Sequence, residues 1–106
     1  MKYGSQPTVV DGIRFASKKE ARRYGELVLL QKAGHISDLA CQPKLDCVVN
    51  GQLVCSYIAD FRYVNRKNGI KDHIYVYEDV KGFKTQVYRL KRKLVKAVTG
   101  IEVLET

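Results

Sequence analysis

The first apolar stretch, Thr8-Val9-Val10-Asp11-Gly12-Ile13-Arg14-Phe15, is split by Asp-Gly, the signal of a tight β-hairpin. Ser17 then opens a helix, with Glu20 three residues on at capping-box spacing. Ala21, Tyr24, Leu27, Val28 and Gln31 follow at helical intervals, leaving Lys18, Lys19, Arg22 and Arg23 outside, and Gly34 is the stop. A connector through Ile36 and Leu39 leads to a strand over Lys44–Val49. Asn50-Gly51, the strongest hairpin signal in the chain, turns it back into a strand over residues 53–63. Residues 65–71 read as a polar loop, and residues 74–81 as the third strand of the meander. A second helix begins at Thr85 or Gln86 with Val87, Leu90, Leu94 and Val98 facing inward; Gly100 ends it, and residues 101–104 form a closing strand.

Helix, three strands, helix and strand after a small hairpin predict an α/β sandwich rather than a doubly wound nucleotide fold. The Gly-rich loops of nucleotide binders are missing from the sequence. A length of 106 residues suits one domain: a hairpin arm over residues 1–15 and a core over 16–106.

Charge changes the picture more than size does. Lys and Arg total 19 against 11 acids, a formal net charge of +8, which favours a polyanionic partner. Residues 84–96 carry Lys84, Arg89, Lys91, Arg92, Lys93 and Lys96 with no acid among them. No apolar run approaches the roughly 20 residues that span a bilayer, and the polar Met1-Lys2-Tyr3-Gly4-Ser5 opens no secretory signal. The expected location is the cytoplasm, with no membrane partner. Cys41, Cys47 and Cys55 are too widely spaced for a Cys-x-x-Cys motif and read as small core residues; His35 and His73 read as loop or strand-edge residues.

The segment Tyr75-Val76-Tyr77-Glu78-Asp79-Val80-Lys81-Gly82 carries the candidate chemistry. Asp79 and Lys81 are two apart, so a strand puts both on one face, and pleating sends the rival Glu78 to the other. Asp60 arrives from another strand-like run with apolar neighbours Ile58, Ala59 and Phe61, where an aspartate needs a partner. Two carboxylates and an ammonium suit a hard cation such as Mg²⁺ or Mn²⁺ and a phosphodiester. Glu20 reads either as a helix cap or as a further contributor to that site. Glu26, its fallback, lies roughly 240° around the helix from Glu20, so both cannot face one site. Arg89, Lys93 and Lys96 make a stripe on the second helix that can track phosphates, with Lys84, Gln86 and Tyr88 beside it. Lys18 and Lys19 extend the basic surface from the first helix.

The order Glu20, Asp60, Asp79-Val80-Lys81 on helix, strand and strand resembles the PD-(D/E)XK nuclease superfamily. Asp11-Gly12-Ile13-Arg14-Phe15 with Ser17-Lys18-Lys19-Glu20-Ala21, and Glu78-Asp79-Val80-Lys81-Gly82, resemble a small phage-encoded family within it. Ala59 stands where many members have proline. The resemblance implies a restriction-endonuclease-like αβββαβ core, with a mixed sheet flanked by two helices. It also implies a metal site of Asp60, Asp79, the Val80 carbonyl and Glu20, with Lys81 assisting attack by water. The implied activity is Mg²⁺-dependent DNA endonuclease, structure-directed as in Holliday junction resolvases, releasing a 5′-phosphate and a 3′-hydroxyl. The implied setting is the host cytoplasm, and cutting two strands symmetrically calls for a homodimer. Two alternatives stay open on the residues: a non-catalytic nucleic-acid-binding protein, and a phage assembly protein whose acids form structural pairs.

Overall fold

The computed structural model describes residues 6–80, 82 and 84–106. Strands β1 (Thr8–Val10) and β2 (Ile13–Phe15) form the N-terminal hairpin, and Asp11 and Gly12 both take positive φ, 52° and 76°. Two successive left-handed residues give the turn the twist of paired strands, which is why Asp-Gly marks it. Helix α1 (Lys18–Lys32) follows. Its start is closed twice: Glu20 N donates to Ser17 Oγ at 3.2 Å, and Ala16 N donates to Glu20 Oε2 at 3.2 Å. Ser17→Ala removes one of these acceptors and is expected to lower stability by about 1 kcal/mol in urea unfolding.

The expected connector through Ile36 and Leu39 is instead a strand, β3 (Ile36–Cys41). A register shift between Ser37 and Ala40, with Asp38 at φ 58°, breaks the two-residue alternation that would have announced it. Strands β4 (Lys44–Val49) and β5 (Gln52–Ile58) close at Asn50-Gly51 as expected. The expected strand over 53–63 is two strands, because the ribbon turns a corner. Ala59 N donates to the Pro43 carbonyl at 3.1 Å and Gln42 N to the Asp60 carbonyl at 2.9 Å, so both strands leave one sheet for the other together. Beyond the corner runs β6 (Phe61–Lys67), and β7 (Ile70–Asp79) returns. The expected loop over 65–71 is a two-residue turn at Asn68-Gly69, φ 53° and 78°, the same device as at Asn50-Gly51. Polar flanks, Lys67 and Lys71, hid it.

Helix α2 (Gln86–Thr99) starts at Thr85, whose Oγ1 accepts from Tyr88 N at 3.0 Å, and stops at Gly100 in the left-handed region. The closing strand is β8 (Leu104–Glu105), later than the expected 101–104. The main sheet has order β3-β6-β7-β8: β3, β6 and β7 run antiparallel, and β8 lies parallel to β7, so the sheet is mixed. The antiparallel meander is therefore β3-β6-β7. The expected meander counted β4 and β5, which form a sheet of their own.

Two clusters hold the layers together. Phe15, Ala21, Leu27, Ile36, Phe61, Tyr63 and Val80 pack α1 and the hairpin onto one side of the main sheet. Cys47, Tyr57, Ala59, Val95 and Val103, with Tyr77 and Tyr88 against them, join α2 to the β4–β5 sheet. Burying one Phe or Leu side chain contributes about 1.5–3 kcal/mol, so these clusters outweigh the caps and turns. Of the residues expected on the inward face of α2, Leu94 packs against the second of these clusters and the other three do not. Val95 is buried, whereas Val87 and Leu90 are 62% and 66% exposed and Val98 is exposed too. Those three lie roughly 60–140° around the helix from Val95. Polar anchors fix this roll: Lys91 Nζ donates to the Ser56 carbonyl at 3.1 Å and Arg92 to the Val103 carbonyl at 3.0 Å.

Candidate functional site

Asp60 stands at the corner between the two sheets, and Asp79 ends β7 beside it. Each fixes the other's strand. Asp60 N donates to Asp79 Oδ1 at 2.9 Å, and Val80 N donates to Asp60 Oδ2 at 2.8 Å. Both line one cavity of about 140 Å³ with Ile58, Val80, Gly82, Lys84 and Tyr88. The two acids singled out in the sequence thus share a compartment. Lys81, their expected companion, lies outside the described residues.

The Glu20 carboxylate accepts from Ala16 N at the start of α1, and only 3% of the residue is exposed. Among the described residues no three His, Cys, Asp or Glu side chains gather as a set that could hold a metal. The carboxylate share available to a cation is therefore the pair Asp60 and Asp79. That pair still fits Mg²⁺, which binds through one or two carboxylates and takes its remaining ligands from water and phosphate. A carboxylate offers about four acceptor sites, so a backbone bond does not bar a cation from it.

Glu78, the rival of Asp79, faces the other side of the sheet. It is fully buried and accepts from Arg23 Nε at 2.6 Å, Arg23 Nη2 at 3.1 Å, Tyr63 Oη at 2.7 Å and Thr106 Oγ1 at 2.9 Å. Burial alone would raise its pKa; the bonds from Arg23, Tyr63 and Thr106 outweigh that and hold the carboxyl below the usual range. Burial and the bond to Glu78 push the Tyr63 phenol up to about 12. Arg23, expected outside the helix with Arg22, is thus drawn inward by an anion. Glu26 pairs with Arg23 at 3.1 Å and stays on the helix surface.

On the other flank the cavity opens towards cations. Lys84 lines it and also lines a neighbouring groove of about 400 Å³ with Arg89, Arg92, Lys93, Lys96, Glu102 and Val103. Arg89, Lys93 and Lys96 therefore share a surface as their spacing implied, and Gln86 is exposed at the first turn of α2. Lys18 is exposed at the start of α1, while Lys19 lines a third pocket, about 220 Å³, with Arg22, Arg23 and Val80. Val80 borders both that pocket and the aspartate cavity.

Glu105 and Arg92 were not singled out by the sequence. Glu105 pairs in register with Asp79, forms ion pairs with Lys84 and with Arg92 (3.2 Å), and accepts from Tyr88 Oη at 3.5 Å. Burial and the Asp79 carboxylate raise the Tyr88 phenol, so it stays protonated as a donor at neutral pH. The signal that could have found Glu105 is the parallel pairing of a final strand with the Asp79 strand, one residue beyond where the apolar run stops.

The structure defines an α/β protein with a paired-aspartate cavity that opens onto a cationic helix. The chain belongs to the family described as protein of unknown function (DUF1064), which it matches over residues 1–99. No curated protein and no solved structure matches it. No helix among the described residues is long and apolar enough to cross a membrane.

Proposed function

We propose that this protein is a metal-dependent DNA endonuclease built on a restriction-endonuclease-like core. The observation that carries the reading is the sharing of one cavity by Asp60 and Asp79, next to a groove of five cations. The element order supports it: setting aside the terminal hairpin and the inserted β4–β5 pair, the chain runs α1, β3, β6, β7, α2, β8. That is the helix, three strands, helix, strand of the resemblance noted above.

Asp60 and Asp79 would hold the cation, with the Val80 carbonyl as a further oxygen ligand. Mg²⁺ or Mn²⁺ supplies Lewis-acid polarisation of the phosphate and a more acidic water. The chain's own groups do the rest. The reciprocal backbone bonds fix both carboxylates before substrate arrives, so little reorganisation is left for the reaction. Lys84 and the protonated Tyr88 hydroxyl face the same cavity and can orient phosphate oxygens. Lys81 is assigned by the resemblance to the attacking water. Glu20 contributes through the start of α1, and the resemblance assigns it to the metal site as well. Arg89, Lys93 and Lys96, with Lys84 and Gln86, would carry the nucleic-acid backbone away from the site, and Lys18 and Lys19 would meet it from α1. Contacts of this kind bind without reading sequence, which suits a structure-directed enzyme. Cutting both strands would need a second copy, measurable as a doubled mass in solution.

The test is incubation of the purified chain with linear, flapped and four-way DNA in Mg²⁺, Mn²⁺ or EDTA. Metal-dependent nicking supports the reading. Salt-sensitive binding without nicking in any metal replaces it with the non-catalytic nucleic-acid-binding alternative. For the groove, the triple variant Arg89→Ala/Lys93→Ala/Lys96→Ala is expected to lower the slope of log K against log salt by about 3, at ~0.9 for each phosphate no longer neutralised. Fluorescence anisotropy in EDTA measures it apart from cleavage.

A further inference from the structure

Cys47 and Cys55 face each other across the Asn50-Gly51 turn as direct register partners of β4 and β5. Cα atoms of such antiparallel partners lie ~4.5–5.5 Å apart, inside the ~4.4–6.8 Å that a disulfide spans. Directly opposed residues of an antiparallel pair send their side chains to the same face, so the two thiols lie side by side. Both are free thiols; Cys47 is buried and Cys55 is half-buried, so solvent reaches the pair through Cys55. Cys41, the third cysteine, sits on β3 against the other core cluster, away from this hairpin. The wide spacing that excluded a Cys-x-x-Cys motif is thus the spacing a hairpin brings together.

We propose that Cys47 and Cys55 form a reversible oxidation site, closing to a cross-strand disulfide on reaction with a low-molecular-weight disulfide such as oxidised glutathione. The Cys55 thiolate attacks one sulfur of oxidised glutathione, forming a mixed disulfide and expelling one glutathione thiolate. The Cys47 thiolate then attacks the Cys55 sulfur, forming the Cys47–Cys55 bond and expelling the second glutathione thiolate. The protein loses two electrons and two protons; the oxidant gains them as two glutathione thiols. The bond would tie the strands beneath α2, since Cys47 packs in one cluster with Val95 and the Ser56 carbonyl next to Cys55 accepts from Lys91. The pair is independent of the nuclease reading and stands or falls without it.

The experiment equilibrates the folded chain in buffers of rising oxidised-to-reduced glutathione ratio, quenches with acid, alkylates under denaturing conditions and reads intact mass and peptides. Expected is a loss of two hydrogens, one alkylatable cysteine in place of three, a peptide linking Cys47 to Cys55, and full reversal by dithiothreitol. Cys41→Ala must keep the two-hydrogen loss, and Cys55→Ala must abolish it. The proposal is overturned if all three cysteines stay alkylatable at the most oxidising ratio. It is equally overturned if glutathione remains bound at Cys55, or if the link runs to Cys41 or between two chains.

Discussion

Asp79→Asn is expected to reduce metal-dependent DNA cleavage at least about a thousandfold while leaving the fold and DNA binding in place. Asparagine has the shape of aspartate and keeps an oxygen that can accept from Asp60 N, the 2.9 Å bond that ties the corner to β7. What it removes is charge. A neutral amide is a poor ligand for a hard dication, and the remaining Asp60 carboxylate would hold it alone. Alanine would be a less informative change, because it also deletes the bond to the corner and could move Asp60. Asp46→Asn is the control. Asp46 lies exposed on β4, accepting from Ser56 Oγ at 2.7 Å, and its charge is expected to be irrelevant to cleavage. Binding measured in EDTA should be unchanged or slightly tighter in Asp79→Asn, since one negative charge has left a surface that receives phosphates. Single-turnover nicking of a labelled four-way junction in Mg²⁺, with melting curves and anisotropy in EDTA alongside, reads all three quantities. Cleavage within a few-fold of wild type in Asp79→Asn would remove the metal-nuclease reading. A loss that appeared equally in Asp46→Asn would point to a contaminant.

The features legible in the sequence were those set by a few adjacent residues. Asp11-Gly12 and Asn50-Gly51 need positive φ at both central positions, and Ser17 with Glu20 closes a helix start; each appears in the fold where its residues stand. Asp60 stood out because it interrupts an apolar run and Asp79 because of its spacing from Lys81, and the resemblance put the two in one site. Features set by distant partners stayed hidden. The corner at Gln42-Pro43 and Ala59-Asp60 depends on bonds between two strands, so a run from 53 to 63 looked continuous although it passes between sheets. Lys91 and Arg92 anchor the roll of α2 by reaching backbone carbonyls, and apolar periodicity pointed to Val87, Leu90 and Val98 as well as to Leu94, which does pack inward. Arg23 looked like one more surface cation until Glu78, 55 residues away, drew it inward.

That ion pair leads to the second large effect. Glu78→Gln is expected to destabilise the chain by about 3–5 kcal/mol, measured as a lower urea midpoint at unchanged slope in EDTA. Glu78 is fully buried and receives four hydrogen bonds, two of them from one guanidinium. Glutamine preserves the volume but presents an NH₂ where Arg23, Tyr63 or Thr106 now donates, and it leaves the half-buried Arg23 with only the exposed Glu26, at 3.1 Å, as counter-charge. The cost comes from the mismatched donor and the weakened pairing of Arg23 more than from any intrinsic strength of the pair. Removing both charges therefore separates the two contributions. Arg23→Met alone is expected to be costly for the mirror-image reason, a buried carboxylate with only hydroxyl donors. The double variant Glu78→Gln/Arg23→Met should be less destabilised than the sum of the singles by at least about 1 kcal/mol, because neither partner is then stranded. Additive losses would mean that Glu78 and Arg23 act separately. The same network gives two adjacent acids different roles. Strand β7 turns Glu78 into the α1 side, where cations and hydroxyls neutralise it, and turns Asp79 into the cavity with Asp60. A variant at Glu78 should then lower stability without changing the metal dependence of any cleavage by the molecules that remain folded, whereas Asp79→Asn should do the reverse.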